Sequence, residues 1–254
     1  MTRFVQVTIL IAVFSWLLSW PVAAQDQQAH YRACMAQVDK RPKAAFDDAT
    51  AWESGAQGLS GGHAARHCAL AALVALGHYH EAAQGLEKLA DVVHADAAFK
   101  AALLVQSARA WIADNDPVRA RAVADAALDL KPDAPEALVV RARALALADA
   151  FWEAADDLSR VLYADPRNVE ALVLRGAAYR QLDAVELALD DLNRALALEP
   201  AHPEGLLERG IAYRLSGDKA GARADWRALL DAHPDSEAAR RGGANLHALN
   251  SGLE

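Results

Sequence analysis

Little in this sequence points to catalysis. No Cys-x-x-Cys pair and no His-Glu-x-x-His occurs in it, so the usual spacings for a dithiol redox centre and a zinc protease site are missing. The one glycine-rich stretch, Gly58-Leu59-Ser60-Gly61-Gly62, lacks the Gly-Lys-Ser/Thr ending of a phosphate-binding loop and reads as a linker. Basic runs are absent as well. With a formal net charge of −8, the chain would repel a phosphate backbone, so nucleic acid is not an expected partner. Aromatic residues make up 6% of the chain against 54% for all hydrophobic types, and alanine and leucine dominate. That balance suits close-packed helices. No enzyme activity and no cofactor are expected.

What the sequence does contain is one motif written four times. Pro132, Pro166, Pro200 and Pro234 stand 34 residues apart. Cut in that register, the segments 101–134, 135–168, 169–202 and 203–236 align without insertion. Leu104, Leu138, Leu172 and Leu206 share a column, as do Ala120, Ala154, Ala188 and Ala222, and Leu128, Leu162, Leu196 and Leu230. A fixed period of this length marks a stacked array of helix pairs. Within 169–202, Leu172, Gly176 and Tyr179 fall at i, i+4 and i+7, one face of a helix. Small residues at Ala108, Ala142, Gly176 and Gly210 let a second helix approach. Turn signals follow at Asp116-Pro117, Asp149, Asp183 and Gly217-Asp218. Asp133, Asn168 and His202 stand where helix caps are expected.

These columns resemble the tetratricopeptide repeat. The resemblance rests on Arg-Gly-x-Ala-Tyr-Arg at 175–180 and 209–214, the later Ala188 or Ala222, and the closing Pro200 or Pro234. Segment 135–168 fits with Ala142 in place of the glycine, and 101–134 fits more loosely. A fifth, divergent copy at 63–100 is similar through Leu76-Gly77-His78-Tyr79-His80-Glu81-Ala82, with His94 in the proline slot and four extra residues. The resemblance implies an all-α, right-handed solenoid of antiparallel helix pairs that binds a protein or peptide in its concave face. The polar set with which part of that family clamps a chain terminus is missing here, since Val105, Val139, Val173 and Leu207 occupy one of its slots.

Residues 1–24 read as an export signal. Arg3 is followed by an uncharged apolar run over 4–20, then Pro21 and the small-residue site Val22-Ala23-Ala24. The run is short for a membrane span, and no cysteine follows for lipid attachment. The expectation is cleavage before Gln25 and a soluble chain in an extracytoplasmic space, most simply a bacterial periplasm. Two short helices over 29–38 and 43–53 and the glycine linker make an amino-terminal cap over 25–62. Residues 237–254 are expected to form a capping helix and tail whose polar outer face carries Arg240, Arg241, Asn245 and His247.

In an exported chain, Cys34 and Cys68 most simply form one disulfide. Six of nine histidines come early, at His30, His63, His67, His78, His80 and His94. They offer a second functional reading, a periplasmic metal-binding protein. Arg141, Arg175 and Arg209 share a column, and Asp157, Asp191 and Asp225 lie sixteen residues later in each repeat. The first repeat has Ser107 and Val123 there, so both charges vanish together, as a structural arginine–aspartate bridge predicts.

The concave face is read from the same register. Glu136, Glu170 and Glu204 form an acidic row. Val105, Val139, Val173 and Leu207 form an apolar stripe one turn on. Arg109 and Arg143, then Arg180 and Arg214, form a basic row beyond it. An apolar floor between opposite charges would suit an extended or helical peptide.

Overall fold

The computed structural model describes residues 22–55 and 60–252. The expected export signal lies outside them except for its last three residues. Among the described residues there are thirteen α-helices and no strand. They are α1 (Val22–Val38), α2 (Pro42–Gly55), α3 (Ser60–Ala75), α4 (Tyr79–Val92), α5 (Ala97–Ala113), α6 (Pro117–Leu130), α7 (Pro135–Leu147), α8 (Phe151–Ala164), α9 (Val169–Gln181), α10 (Val185–Leu198), α11 (Pro203–Leu215), α12 (Lys219–Ala232) and α13 (Glu237–Ser251). Each packs on the next. The odd-numbered helices from α5 to α13 also touch one another in sequence, while the even-numbered ones do not approach each other comparably. The odd-numbered row therefore lines the inner, concave side of an all-α solenoid.

The 34-residue period persists into backbone geometry. Gly77, Asn115, Asp149, Asp183 and Gly217 all have positive φ, and they close the turn between the two helices of each pair. Short Asn and Asp tolerate the left-handed region, and Gly enters it freely. The next helix then starts at once. Asp116 accepts from the Arg119 amide with Pro117 in the first turn, and Asp218 accepts from the Gly221 amide. Between repeats, Asn168, His202 and Ser236 cap α9, α11 and α13 with side-chain acceptors. The expected cap at Asp133 is wrong by one residue. Ala134 holds the cap position of α7 and has no side chain to use, while Asp133 pairs with Arg160.

Close approach within each pair depends on the small residue of the first helix. A Cβ at Gly176 would lie 2.7 Å from Leu192, and one at Gly210 would lie 2.3 Å from the Trp226 indole. The arginine–aspartate bridges form beside that contact. Arg141, Arg175 and Arg209 each donate two hydrogen bonds, at 2.6–2.8 Å, to Asp157, Asp191 and Asp225. Those hydrogen bonds hold all three guanidinium groups above the usual arginine range, against burial, which pulls the other way. Each arginine also reaches back to the preceding repeat, at Asp125, Ser159 or Asn193. The bridge thus ties three helices together. In the first full repeat, which lacks the arginine and the aspartate, Trp111 donates to Glu87 and Ser107 to the Ala83 carbonyl, so α5 keeps a link back to α4 of the preceding repeat but has no such bridge to α6. The turns between repeats are pinned similarly. Arg160 and Arg194 donate to the Pro132 and Pro166 carbonyls, and His233 contacts the Ala201 carbonyl in the last repeat.

At the amino end α1 begins at Val22, before the expected cleavage point and seven residues before the expected helix start. The expected linker over 58–62 is also shorter, because Ser60, Gly61 and Gly62 already belong to α3. Cys34 of α1 and Cys68 of α3 are disulfide-bonded and fully buried. Beside them the Tyr31 hydroxyl and Gln106 hold the two ring nitrogens of His67 at 2.7 and 2.9 Å. Burial depresses the His67 pKa, and the Gln106 bond offsets this in part. Opening a loop of this length should cost about 3–4 kcal/mol on the chain-entropy model. Reduction is therefore expected to free α1 and α3 first, read as faster amide exchange in those helices while α7–α12 stay protected. Uniform loss of protection would show that the bond acts on the whole stack.

Candidate functional site: a pocket in the concave face

The apolar stripe is not a groove floor. Val105, Val139, Val173 and Leu207 are 6, 5, 4 and 0% exposed and belong to the hydrophobic core. Each first helix is covered on one flank by its own second helix and on another by the next first helix. Sequence columns identify the apolar positions, but they do not show how much of the helix the neighbouring repeat covers. Charging Val139 and Val173 would therefore disrupt packing rather than probe binding.

The charged rows are paired only in part. Arg143 of α7 donates to Glu170 of α9 at 2.7 Å. Arg180 of α9 donates through Nε to Glu208 of α11 at 2.6 Å. Glu204 and Glu208 lie 3.8 and 3.6 Å from Arg241 of α13. Arg109 and Glu136 are exposed, line a shallow hollow with Val105, and make no ion pair among the described residues. Arg214, half-buried in the last turn of α11, lies outside the pocket described next.

The inner face instead opens into a pocket of about 350 Å³ lined from α5, α7, α8, α9, α11 and α13. Its wall is mainly apolar, with Ile112, Ala146, Leu147, Leu174 and Ala177 in front of Leu158. Arg143, Arg180, Glu208 and Arg241 supply the charge. The register explains why it forms there. One column runs Arg109, Arg143, Ala177, Ile211, and another runs Ile112, Ala146, Arg180, Arg214. The two columns exchange character between the second and third full repeats. At the crossover Ala146 and Ala177 are both small, leaving space between Arg143 and Arg180. Arg143 and Arg180 were legible in the sequence as groove residues, whereas Arg241, expected on the outer face of the terminal cap, turns into the pocket. Ala146, Ala177 and Glu208 were not legible, although the crossover was present in the columns.

Glu208 is the unusual member. Its column reads Gln106, Val140, Leu174, Glu208, and its side chain is only 8% exposed. No buried side-chain nitrogen or oxygen among the described residues lacks a partner.

The early histidines do not converge. His30 pairs with Asp48 and stacks on Trp52, His67 sits between Tyr31 and Gln106, and His80 pairs with Asp114. Among the described residues no group of three His, Cys, Asp or Glu side chains could hold a metal ion. The string Gly58-Leu59-Ser60-Gly61-Gly62 has the spacing of a hydrolase nucleophile turn. That turn needs a strand leading in, whereas helix α2 precedes it and α3 starts at Ser60.

No protein-family model matches the chain, and no curated protein matches it. Solved structures do. A tetratricopeptide repeat protein from Parabacteroides merdae superposes with a TM-score of 0.70 at 16% identity, covering 90% of this chain and 86% of that one. A thermophilic tetratricopeptide repeat protein of Thermus thermophilus gives 0.61 at 20% identity, covering 73% and 99%. MamA from Desulfovibrio magneticus gives 0.58 at 20% identity, covering 69% and 97%. At such identities the likeness speaks for the fold, and it agrees with the register and the helix pairing. The chain is an all-α solenoid of the tetratricopeptide-repeat type.

Proposed function

We propose that this protein is an exported, non-catalytic interaction scaffold whose concave pocket takes a segment of a protein or peptide partner. The carrying observation is the pocket itself, a mainly apolar hollow with four charged side chains on the inner face of a repeat stack. YrrB, a tetratricopeptide repeat protein with an unusual peptide-binding site, shares the fold at a TM-score of 0.52 and 14% identity, covering 71% of this chain and 91% of that one. Export rests on the signal-like segment over 1–24 and on the disulfide, which suits an oxidising compartment. No helix among the described residues is long and apolar enough to cross a membrane. The acidic net charge argues against nucleic acid.

Photo-crosslinking tests the binding face. A benzoylphenylalanine at Leu147, 53% exposed at the pocket's rim, should trap a partner segment in the native envelope, and the same group at Trp152, 64% exposed and outside this pocket, should not. Equal yields at both positions, or trapping only at Trp152, would rule the pocket out as the binding face.

A further inference from the structure

We infer that Glu208 is an internal competitor that tunes the pocket for a partner segment carrying a bulky apolar residue beside a carboxylate. This rests on the groove reading above and names the chemistry of its occupant. The apolar wall supplies the first half, because Ile112, Leu147, Leu174 and Ala177 leave room for an inserted side chain. The second half follows from hydrogen-bond supply. Each guanidinium carries five N–H donors and no acceptor. Arg143 uses Nη2 on Glu170, and Arg180 uses Nε on Glu208 and Nη1 on Gln181. Arg241 makes only the longer contacts of 3.6 and 3.8 Å. Three cationic groups line the pocket and one carboxylate does, since Glu170 and Glu204 stay outside its lining. In a chain of net charge −8, that is a local reversal of sign. An entering carboxylate meets free donors in a forked geometry that suits it, and an entering ammonium meets three guanidinium groups.

Glu208 now acquires a role that repeat packing does not demand, since Gln106, Val140 and Leu174 fill its column elsewhere without charge. It holds the Nε of Arg180 in the free protein. A ligand carboxylate must share or displace it, which lowers affinity and favours partners that also fill the apolar wall. Glu208→Gln keeps an acceptor for Arg180 and removes the competing charge.

The test uses the full chain, immobilised, and three pools of end-blocked heptapeptides. Each pool has leucine at the centre, mixed neutral residues at the flanks, and Asp, Asn or Lys after the leucine. Retained peptide is quantified by mass spectrometry. The Asp pool should be retained about tenfold over the Asn pool, with the Lys pool lowest. Glu208→Gln should raise Asp-pool retention several-fold. Arg143→Gln, which opens only an exposed pair, should erase most of the Asp preference and keeps the test decisive if Glu208→Gln does not fold. Preference for Lys, indifference between Asp and Asn, failure of all pools to bind, or weaker Asp retention in folded Glu208→Gln would each overturn the inference. Ala177→Trp, which fills the pocket, separates the two readings. Retention lost for all pools without any Asp preference defeats the competitor role alone, and retention unchanged by Ala177→Trp defeats the groove.

Discussion

Asp191→Ala should cost about 3 kcal/mol, because it leaves Arg175 without the carboxylate it is paired with, and Arg175→Ala less, because Arg194 still reaches Asp191 at 3.2 Å. Asp191 is 1% exposed, and both its oxygens accept from Arg175 at 2.7 and 2.8 Å. Arg175 also holds Ser159 of the preceding repeat, so its loss loosens an inter-repeat contact as well. The double mutant should be far less destabilised than the sum of the singles, since no buried charge is then left alone. Urea unfolding of the four proteins measures the coupling, expected to be about 1–3 kcal/mol. Additive losses would mean that the bridge is a geometric coincidence of the repeat. The raised arginine pKa values place these cations above the usual arginine range. The sign of that shift puts their contribution in place below the unfolded arginine range for as long as the partner carboxylates carry their charge, with loss as pH rises through the folded values.

Trp226→Ala should be the most costly single truncation in the carboxy-terminal half, about 3–5 kcal/mol. The indole is fully buried among Leu206, Leu207, Leu229 and Ala239 and donates to the Leu207 carbonyl at 3.3 Å. It fits only because Gly210 faces it, so Gly210→Ala should also destabilise. The other repeats indicate how to compensate. Their pairs at these two positions are Ala108 with Ala124, Ala142 with Leu158, and Gly176 with Leu192. The double change Gly210→Ala with Trp226→Leu reproduces the second pair and should recover part of what Gly210→Ala loses alone, read as a higher urea midpoint. If the double mutant is no better than Gly210→Ala, the fit between helices is not set locally by these two residues.

The buried core of this protein follows from its spacing, and the sequence by itself determined that much. Leu138, Leu172 and Leu206, the small residues opposite Leu158, Leu192 and Trp226, and the Arg–Asp columns all recur at one interval, and recurrence at 34 residues leaves helix pairing as the only consistent reading. The bridge of Cys34 and Cys68 was legible for a simpler reason, there being no other cysteine to compete. The concave surface was decided by tertiary structure. Whether Val139 and Val173 face solvent depends on how closely α7 and α9 approach, and a one-dimensional register carries no rotation or curvature between repeats. The same limit hid the pocket. Its walls come from α5 to α13, residues as far apart as Ile112 and Arg241, and only stacking brings them to one place. Glu208 marks the boundary between the two kinds of knowledge. As a letter it is one more glutamate on a helix, and its burial between Arg180 and Arg241 exists because three successive first helices turn the same edge inward.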